Sequence, residues 1–233
     1  MGMEQNRLKT LTMSRYQGQM ARSSMVRRQV IGEHAANQDM RELIMRKVVL
    51  KMHVSLDGYV RAASGDVMDW VFRTYDDELK AWEVDTLWQA GMHIMGRNLY
   101  EEMAAYWPTS TDDFAPPMNE IPKVVFSKTL KRADWSNSRV ASGDLAEELS
   151  RLRREPGKDI LVHGGATFVQ SLSTLGLIDE YRLIVHPIAL TGGLPLFAEI
   201  MDLKLLDSKA FPAGAIALIF YKALHQADAS RVG

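Results

Sequence analysis

The sequence contains no cysteine among its 233 residues. This absence excludes disulfides, thiolate nucleophiles and cysteine-ligated zinc, and it fits a cytoplasmic protein. Neither sign of charge dominates, because 28 lysines and arginines face 29 aspartates and glutamates and the formal net charge is −1. The chain therefore has no global basic field for nucleic acid or for an anionic membrane.

Long apolar runs are also missing. No segment reaches the roughly 18 apolar residues of a transmembrane helix, and the first residues lack the apolar core of a secretion signal. Hydrophobic residues still make up 46% of the chain and charged residues 24%, which is an ordinary globular mixture. We therefore expect one folded domain with extensions, and no membrane partner.

The first part of the chain differs in composition from the rest. Residues 1–44 are rich in arginine and poor in large apolar side chains, so they cannot bury enough surface to offset the entropy of ordering. We interpret them as a disordered or loosely helical extension, with a mitochondrial-type targeting segment and a nucleic-acid-binding arm as alternatives. Residues 45–223 are the predicted domain, and residues 224–233 a polar tail.

Predicted strands and helices alternate over most of the domain, and the last third contains consecutive strands. The first convincing strand covers residues 47–54, and residues 203–210 and 215–221 are predicted to pair antiparallel. This order predicts an α/β fold with a mostly parallel sheet and antiparallel edge strands. No internal repeat is visible in the sequence.

Several local predictions accompany this assignment. Thr74 is predicted to cap the helix that follows it. The buried side of that helix is expected to carry Leu79, Trp82, Leu87 and Trp88. Residues 108–122 are interpreted as a polar loop, either a lid or a surface excursion, and residues 191–197 as a glycine-rich loop.

One short stretch carries the clearest binding signal in the chain. It consists of a short apolar strand, Ile160–Val162, then Gly164 and Gly165, then a helix with apolar residues at helical spacing. A helix that opens directly after a glycine turn presents unpaired N–H groups and the positive end of its dipole, which suits a phosphate. The stretch predicts a seat for the diphosphate of a nucleotide cofactor, with an ordinary tight turn as the alternative.

Two further strand ends carry residues that can bind phosphate. One predicted strand is followed by Gly96, Arg97 and Asn98, and the next by Ser127 and Lys128. Arginine can hold a phosphate through two parallel hydrogen bonds, and Ser127 with Lys128 can meet a second one, such as a ribose 2′-phosphate. Each feature also has a structural explanation, as a helix end or a solvated turn. Because ligands gather at the carboxyl ends of strands in an open α/β sheet, we expect one groove.

Taken in order, the motifs of this chain resemble the dihydrofolate reductase-like superfamily, and within it the C-terminal reductase domain of the bifunctional riboflavin-biosynthesis deaminase/reductase. The resemblance covers roughly residues 46–222. Its segments are Ser55-Leu-Asp-Gly58, Met95-Gly-Arg97 before Tyr100-Glu101, Val125-Phe-Ser127, Val162-His-Gly-Gly-Ala166, Leu177-Ile-Asp-Glu180, Val185-His-Pro187 and Gly193-Leu-Pro-Leu-Phe197. Each segment is weak singly, and their order makes the set specific.

The resemblance implies a three-layer α/β/α fold around a mainly parallel sheet, NADPH as cofactor, and often a homodimer. It places the adenosine part and its phosphate at two of the strand ends, the diphosphate at the third, and the nicotinamide or substrate near residues 55–58. From the motifs and the resemblance together, the expected cofactor-binding residues are Ser55, Gly96, Arg97, Asn98, Ser127, Lys128, Gly164, Gly165, Ala166 and Thr167.

The chain departs from the family pattern at two points. Dihydrofolate reductases carry a hydroxyl two residues after the arginine, where this chain has Leu99, with Asn98 as a possible compensation. No counterpart of their buried carboxylate is evident either, because residues 76–78 are better explained as the acidic start of a helix. This argues against reduction of dihydrofolate itself. The zinc-binding deaminase half is not expected, since cysteine ligands are missing.

Three other side chains are candidates for acid–base chemistry. Asp57 is the predicted catalytic residue, positioning the substrate or relaying a proton, and its alternative role is to form the turn before Gly58. His163 and His186 lie at strand ends and are expected to be packed, hydrogen-bonded residues rather than acids or bases. Their spacing does not match a metal site, so no metal is predicted.

We therefore expect a reductase that uses NADPH to reduce a C=N or C=O bond of a small heteroaromatic compound, resembling a pterin or a pyrimidine. The alternative is a non-catalytic dimer that keeps the fold to bind a nucleotide or another ligand. Leu99 and the apparent lack of a buried carboxylate favour this alternative slightly.

Overall fold

The structure is a computed structural model and describes residues 45–63 and 69–222. The described residues from Arg46 onwards belong to one compact unit. The extension predicted at residues 1–44, the tail predicted at residues 224–233 and a turn expected at residues 64–66 lie outside the described residues.

Strands and helices alternate along the chain up to the last third. The strands are β1 (Val48–Ser55), β2 (Tyr59–Ala62), β3 (Met92–Gly96), β4 (Lys123–Phe126), β5 (Ser138–Ala141), β6 (Ile160–Val162), β7 (Glu180–His186), β8 (Gly193–Pro195), β9 (Leu203–Ala210) and β10 (Ile216–Lys222). The helices are α1 (Asp69–Phe72), α2 (Asp77–Gln89), α3 (Arg97–Tyr106), α4 (Ala115–Glu120), α5 (Leu145–Arg154) and α6 (Ala166–Thr174), with a 3₁₀ turn at Trp107–Thr109.

The strands form one large sheet in the order β5-β4-β3-β6-β1-β7-β10-β9. All pairs from β5 to β7 are parallel, whereas β10 pairs antiparallel with both β7 and β9. This confirms the predicted α/β fold with antiparallel strands at one edge. A separate antiparallel pair joins β2 to β8.

Helices cover both faces of the sheet and make the protein three layers thick. On one face, Val169 and Leu172 of α6 and Leu149 of α5 pack on alternate residues of the central strands, including Leu50 and Val162. The opposite face is covered by α2, α3 and α4. Alternate residues of a strand point to opposite faces, so burial on both sides explains why β6 is entirely apolar and β3 and β4 are mostly so.

The start of α2 differs from the prediction. Its cap is Asp76, whose Oδ1 accepts the backbone N–H of Leu79 at 2.8 Å, and Thr74 bonds a histidine instead. An aspartate directly before the first turn is as good a cap as threonine and also carries charge. Leu79 and Leu87 are buried as expected, but Trp88 is exposed and Glu83 takes a place on the buried side.

Residues 108–122 are not the irregular loop that their composition indicates. They contain the short helix α4, with Pro116 and Pro117 in its first turn, where the missing N–H groups of proline have no cost. Met118 of α4 is buried in the core with Leu87. The segment is therefore part of the helical layer and does not form a free lid.

The glycine-rich loop expected at residues 191–197 contains β8. Tyr59 of β2 lies opposite Pro195 of β8, and a side chain at Gly193 would collide with the carbonyl of Arg61. This pair places the loop after β7 beside the segment that follows β1. No helix among the described residues is long and apolar enough to span a bilayer.

Candidate functional site

Three neighbouring strand ends meet at the carboxyl edge of the sheet. Because β3 lies between β4 and β6, Ser127, Gly96 and Gly164 stand at or just beyond the ends of adjacent strands. The backbone N–H of His163 donates to the carbonyl of Ile94 at 3.0 Å, and that of Gly96 donates to Gly164 at 3.3 Å. The three segments predicted to bind phosphate therefore lie side by side.

Arg97 is held at this edge by two hydrogen bonds. Its Nε donates to Glu101 at 2.8 Å, and its Nη1 donates to the hydroxyl of Thr129 at 2.9 Å. Ser127 closes the turn after β4, since its Oγ accepts the backbone N–H of Thr129 at 3.2 Å and that of Leu130 at 3.0 Å. The arginine side chain is 45% exposed, so its guanidinium is both oriented and accessible.

Lys128 and Asn98 are exposed beside this arginine. Neither side chain makes a hydrogen bond or an ion pair with any residue that the structure describes. Lys128 thus adds a cation without an ion-pair partner among these residues beside Arg97, which is paired with Glu101, and such a cation favours a bound anion.

Two helices begin at these strand ends without a side-chain cap. The N-caps are Gly96 for α3 and Gly165 for α6, and neither can offer a side chain to the first turn. By contrast, α2 and α5 are each capped by an aspartate side chain. The first turn of α6, with Ala166 and the exposed Thr167, therefore keeps unpaired N–H groups for an anion.

The two glycines after β6 serve different purposes. Gly164 has φ +107°, and a Cβ there would lie 3.1 Å from Met52 Cε and 3.6 Å from Leu99 Cδ2, so the backbone requires glycine. Gly165 has φ −45° and ψ 159°, and a Cβ on it would meet nothing within 4 Å. The open space at the start of α6 thus lies at Gly165, and these residues fit a diphosphate group.

Asp57 braces the loop that follows β7. It accepts a hydrogen bond from the hydroxyl of Ser55 at 2.6 Å and from the backbone N–H groups of Leu190 at 3.0 Å and Thr191 at 2.8 Å. These bonds lower the pKa of Asp57, and the bond from Ser55 has the largest effect. Thr191 has φ 58°, which a β-branched residue rarely adopts. Asp57 therefore holds the loop after β7 in place, and its predicted catalytic role stays a prediction.

A buried carboxylate is present on α2, although no counterpart of one is evident from the sequence alone. Glu83 accepts a hydrogen bond from Lys51 Nζ at 2.5 Å, and its Oε1 lies 3.1 Å from His53 Nε2. Its side chain is only 2% exposed, and that of Lys51 12%. Burial by itself would raise the pKa of Glu83, but Lys51 and His53 together hold it below its usual value.

The polar contacts continue from this carboxylate to the loop between α1 and α2. His53 Nδ1 lies 2.9 Å from His186 Nε2, and His186 Nδ1 lies 2.7 Å from the hydroxyl of Thr74. His186 is fully buried, and its pKa is lowered to about 4, mainly by burial and to a smaller extent by the nearby His53. It is the packed, hydrogen-bonded residue that the sequence predicted, and it belongs to a longer chain of groups.

His163 lies on the same side of the sheet and packs edge to face against His93, with ring centroids 4.4 Å apart. Burial holds the pKa of His163 well below its usual value and lowers that of His93 to about 3. In the part of the chain that the structure describes, no group of three or more acidic or histidine side chains is placed to hold a metal ion.

The sequence carries a signal for this buried polar layer. Lys51, His53 and Ser55 alternate along β1, so they share one face of a central strand. Glu83 lies four residues from Leu79 and from Leu87, which places it on the buried stripe of α2. Polar residues on two buried faces are expected to pair.

A groove of about 430 Å³ lies on the outer side of this edge. Its lining includes Tyr100 and Glu101 of α3 and Trp135 from the segment before β5. It borders Arg97 through Glu101, but the glycines after β6 do not line it. The groove therefore lies next to the three strand ends, but it is not a cleft that all three of them line.

The architecture described above, a mostly parallel sheet between helices with β10 and β9 antiparallel at its edge, is a pyrimidine-reductase-like fold. The family model of the RibD C-terminal domain matches residues 46–217. The chain belongs to this family, which confirms the resemblance inferred from its motifs.

Two relatives in Bacillus subtilis (strain 168) span almost the whole of the domain. The chain is 29% identical over 187 residues to the uncharacterised protein YyaP, covering 77% of this chain and 96% of that protein. It is 28% identical over 169 residues to the uncharacterised protein YwjB, covering 71% of this chain and 92% of that protein.

Solved structures share the fold at low sequence identity. A protein from Shewanella sp. PV-4 named for riboflavin biosynthesis aligns with a TM-score of 0.64 at 20% identity, over 76% of this chain and 99% of its own. A pyrimidine reductase-like protein from Corynebacterium diphtheriae aligns with a TM-score of 0.56 at 14% identity, over 77% and 92%. A deaminase/reductase from Thermotoga maritima aligns with a TM-score of 0.55 at 17% identity, over 77% of this chain and 57% of its own length.

Proposed function

We propose that the protein is an NADPH-dependent reductase of a small heteroaromatic compound, similar to a pterin or a pyrimidine. The observation that carries this proposal is the convergence of Arg97, Ser127 and Gly164–Gly165 on adjacent carboxyl ends of β3, β4 and β6. Ligands of open α/β sheets bind at this edge, and the two uncapped helix starts make it suitable for phosphates.

Each part of the cofactor has a set of residues to hold it. Arg97, Ser127 and Lys128, with Asn98 beside them, would hold the adenosine part and its 2′-phosphate, because they supply two cations and several hydrogen-bond donors. The backbone of Gly164 and Gly165 and the first turn of α6, with Ala166 and Thr167, would hold the diphosphate. Ser55 and the loop braced by Asp57 lie at the ends of β1 and β7 and would border the nicotinamide and the substrate.

The chemistry is divided between cofactor and protein. When bound, NADPH supplies the hydride. The protein orients the two reactants, excludes water by its packed helical layers, and supplies or positions the proton that completes the reduction. Asp57 contributes by fixing Leu190 and Thr191 through its carboxylate.

The substrate class follows from the family and from proteins that share the fold. The Thermotoga maritima structure is that of a diaminohydroxyphosphoribosylaminopyrimidine deaminase/5-amino-6-(5-phosphoribosylamino)uracil reductase, and the Corynebacterium diphtheriae structure is of a pyrimidine reductase-like protein. A pyrimidine ring is common to these two names. For this chain we propose a small heteroaromatic substrate of that kind, in which a C=N or C=O bond is reduced.

A screen that follows NADPH absorbance tests the proposed activity. Pterins, ribosyl-pyrimidines and quinoid compounds would be offered together with NADPH, and binding would be measured in parallel by calorimetry. Oxidation of NADPH with at least one class supports the reductase. Tight binding of NADPH without turnover of any class would instead support the non-catalytic module, for which Leu99, packed against Gly164, is the supporting observation.

Arg97→Ala should weaken NADPH binding by about 1–3 kcal/mol, because a charge-assisted hydrogen bond to phosphate is lost. Folding should change little, since the ion pair with Glu101 is half exposed. Calorimetric titration with NADPH and a thermal melt of both proteins measure the two effects.

Arg151→Ala is the matched control. Arg151 also pairs with a glutamate four residues along a helix, Glu155, and is 49% exposed, but it lies on α5, away from the three strand ends. It should bind NADPH like the parent. Equal affinity of Arg97→Ala and the parent would remove Arg97 from the site.

The homodimer expected from the resemblance stays a proposal. Leu205 and Leu206 of β9 and Ile216 of β10 are exposed at the antiparallel edge of the sheet. These side chains offer an apolar surface on which a second copy could pack.

A further inference from the structure

Four side chains form a continuous hydrogen-bonded chain beneath the carboxyl edge of the sheet. It runs from Glu83 on α2 to His53 on β1 at 3.1 Å, then to His186 on β7 at 2.9 Å, and ends at the hydroxyl of Thr74 at 2.7 Å. The phosphate-binding residues take no part in it. Such a row of four hydrogen-bonded polar side chains either stabilises the fold or transfers protons.

The carboxylate fixes the direction of the first bond in the chain, and the charge of His53 then decides the others. Glu83 can only accept, because Lys51 keeps it ionised, so His53 donates to it from Nε2. If His53 is neutral, its Nδ1 must then accept from Nε2–H of His186. His186 Nδ1 in turn accepts the hydroxyl proton of Thr74. With His53 neutral, all donors therefore point towards Glu83.

One added proton reverses most of this direction. When His53 is charged, both of its nitrogens donate, so His186 must accept at Nε2 and carry its own proton on Nδ1. That proton is then donated to the oxygen of Thr74, whose hydroxyl hydrogen is released to point away from the chain. The hydroxyl thus becomes a donor for an outside acceptor only when His53 is charged, with protons on both ring nitrogens.

We propose that Thr74, His186 and His53 form a proton-transfer chain, anchored by Glu83, that stores a proton on His53 and delivers it at the Thr74 hydroxyl. The delivery balances in three transfers. Thr74 Oγ1 gives up its proton, His186 Nδ1 passes one to Thr74, and His53 Nδ1 passes one to His186 Nε2. One proton leaves the protein and His53 ends neutral.

This inference rests on the proposed reductase for its use. Reduction of a C=N or C=O bond leaves an electron pair on nitrogen or oxygen, and that pair takes the delivered proton as a new N–H or O–H bond. Thr74 bonds His186, the last residue of β7, which lies opposite Ser55 at the end of β1. The ends of β1 and β7 are the part of the carboxyl edge that would border the substrate. In the proposed reaction Thr74 is a catalytic residue, whereas Glu83 is a positioning residue.

The groups around the chain support the storage of a single proton. Burial lowers the pKa of His186 to about 4, so His186 is neutral near pH 7. The other titratable groups that face Glu83 and His53 are Lys51, Tyr75 and His163. Burial raises the pKa of Tyr75 and lowers that of His163, so both are neutral near pH 7. Among the residues that the structure describes, Lys51 is then the one cation beside Glu83 and His53.

Nuclear magnetic resonance of ¹⁵N-labelled histidine in the full chain tests the storage step without cofactor or substrate. At high pH, His53 and His186 should both carry their proton on Nε2. As the pH falls, His186 should change from the Nε2–H to the Nδ1–H tautomer at the midpoint at which His53 becomes charged. A His186 tautomer that stays the same through this transition, or a charged His186 in its place, would overturn the chain.

Thr74→Val tests the delivery step. It should lower kcat by about 100-fold or more, the usual range for a lost general acid, while the Kd of NADPH is unchanged. Thr74→Ser keeps the hydroxyl and should retain most of the turnover. A merely structural role for Thr74 would lower the melting temperature of the valine variant and leave kcat near that of the parent, which would overturn delivery at Thr74.

The two experiments separate the chain from the proposed function. If the parent neither binds NADPH nor turns over any compound, the reductase and the delivery step both fail, and the tautomer exchange is still decided by the titration. If the parent turns over and the valine variant matches it, the reductase stands and the delivery step is wrong.

Discussion

Gly165→Val is expected to abolish NADPH binding at concentrations that saturate the parent, while the protein keeps its fold. The backbone of Gly165, at φ −45° and ψ 159°, is open to other residues, and a Cβ there meets no atom within 4 Å. The added side chain would occupy the space proposed for the diphosphate. We expect an affinity loss of about 100-fold or more, or roughly 3 kcal/mol, in calorimetric titration.

Gly164→Ala provides the contrast to this variant. Its φ of +107° is unfavourable for any side chain, and the new Cβ would press on Met52 Cε at 3.1 Å. It should therefore lower the melting temperature far more than Gly165→Val does. If Gly165→Val binds NADPH as the parent does, the diphosphate does not lie at the start of α6.

Glu83→Gln should lower the free energy of unfolding by about 3–5 kcal/mol, because it leaves Lys51 buried without a counter-charge. Glu101→Gln is a matched control, since this glutamate also pairs with a cation, Arg97, at 2.8 Å but is 48% exposed. Its loss should stay below about 1 kcal/mol. Denaturant titration at pH 7 measures both, and similar small losses would show that the buried pair is not important for stability.

The double variant Lys51→Met, Glu83→Leu separates lost charge pairing from lost packing. Buried ion pairs can be replaced by apolar side chains of similar volume with little cost. We therefore expect it to recover most of the stability lost in Glu83→Gln. Failure to recover would mean that the hydrogen bonds of His53 to Glu83 carry the stability instead.

The sequence predicts those parts of the fold that depend on neighbours along the chain. The apolar run Ile160–Val162 followed by a glycine pair gives β6 and α6, and the pattern after residue 203 gives the antiparallel pair β9 and β10. The neighbouring strands β3 and β4 are also predictable, because burial on both faces makes most of their residues apolar. Their ends then give the location of the proposed cofactor site.

The sequence is misleading where one residue type has two meanings. Pro116 and Pro117 indicate a loop, yet proline is well suited to the first turn of a helix, and both lie in the first turn of α4. Thr74 and Asp76 are both good caps. Asp76 is the cap in the structure, and its carboxylate also accepts the backbone N–H of Ala213 at 2.7 Å. Because Ala213 is distant in sequence, this preference is not visible from the local pattern.

The buried chain of polar groups could not be assembled from local patterns. The contact between His53 and His186 spans 133 residues, and that between Thr74 and His186 spans 112. Only the register of β1 against β7 brings these side chains together. Positions of single polar residues on buried faces are visible in the sequence, but their partners are decided by strand order.

A crystal structure of the protein with NADPH is the decisive test of the proposed cofactor site. We expect the diphosphate against the backbone of Gly165 and the first turn of α6, with the 2′-phosphate between Arg97 and Ser127. NADPH bound at another surface, or no bound nucleotide after soaking at saturating concentration, would contradict it.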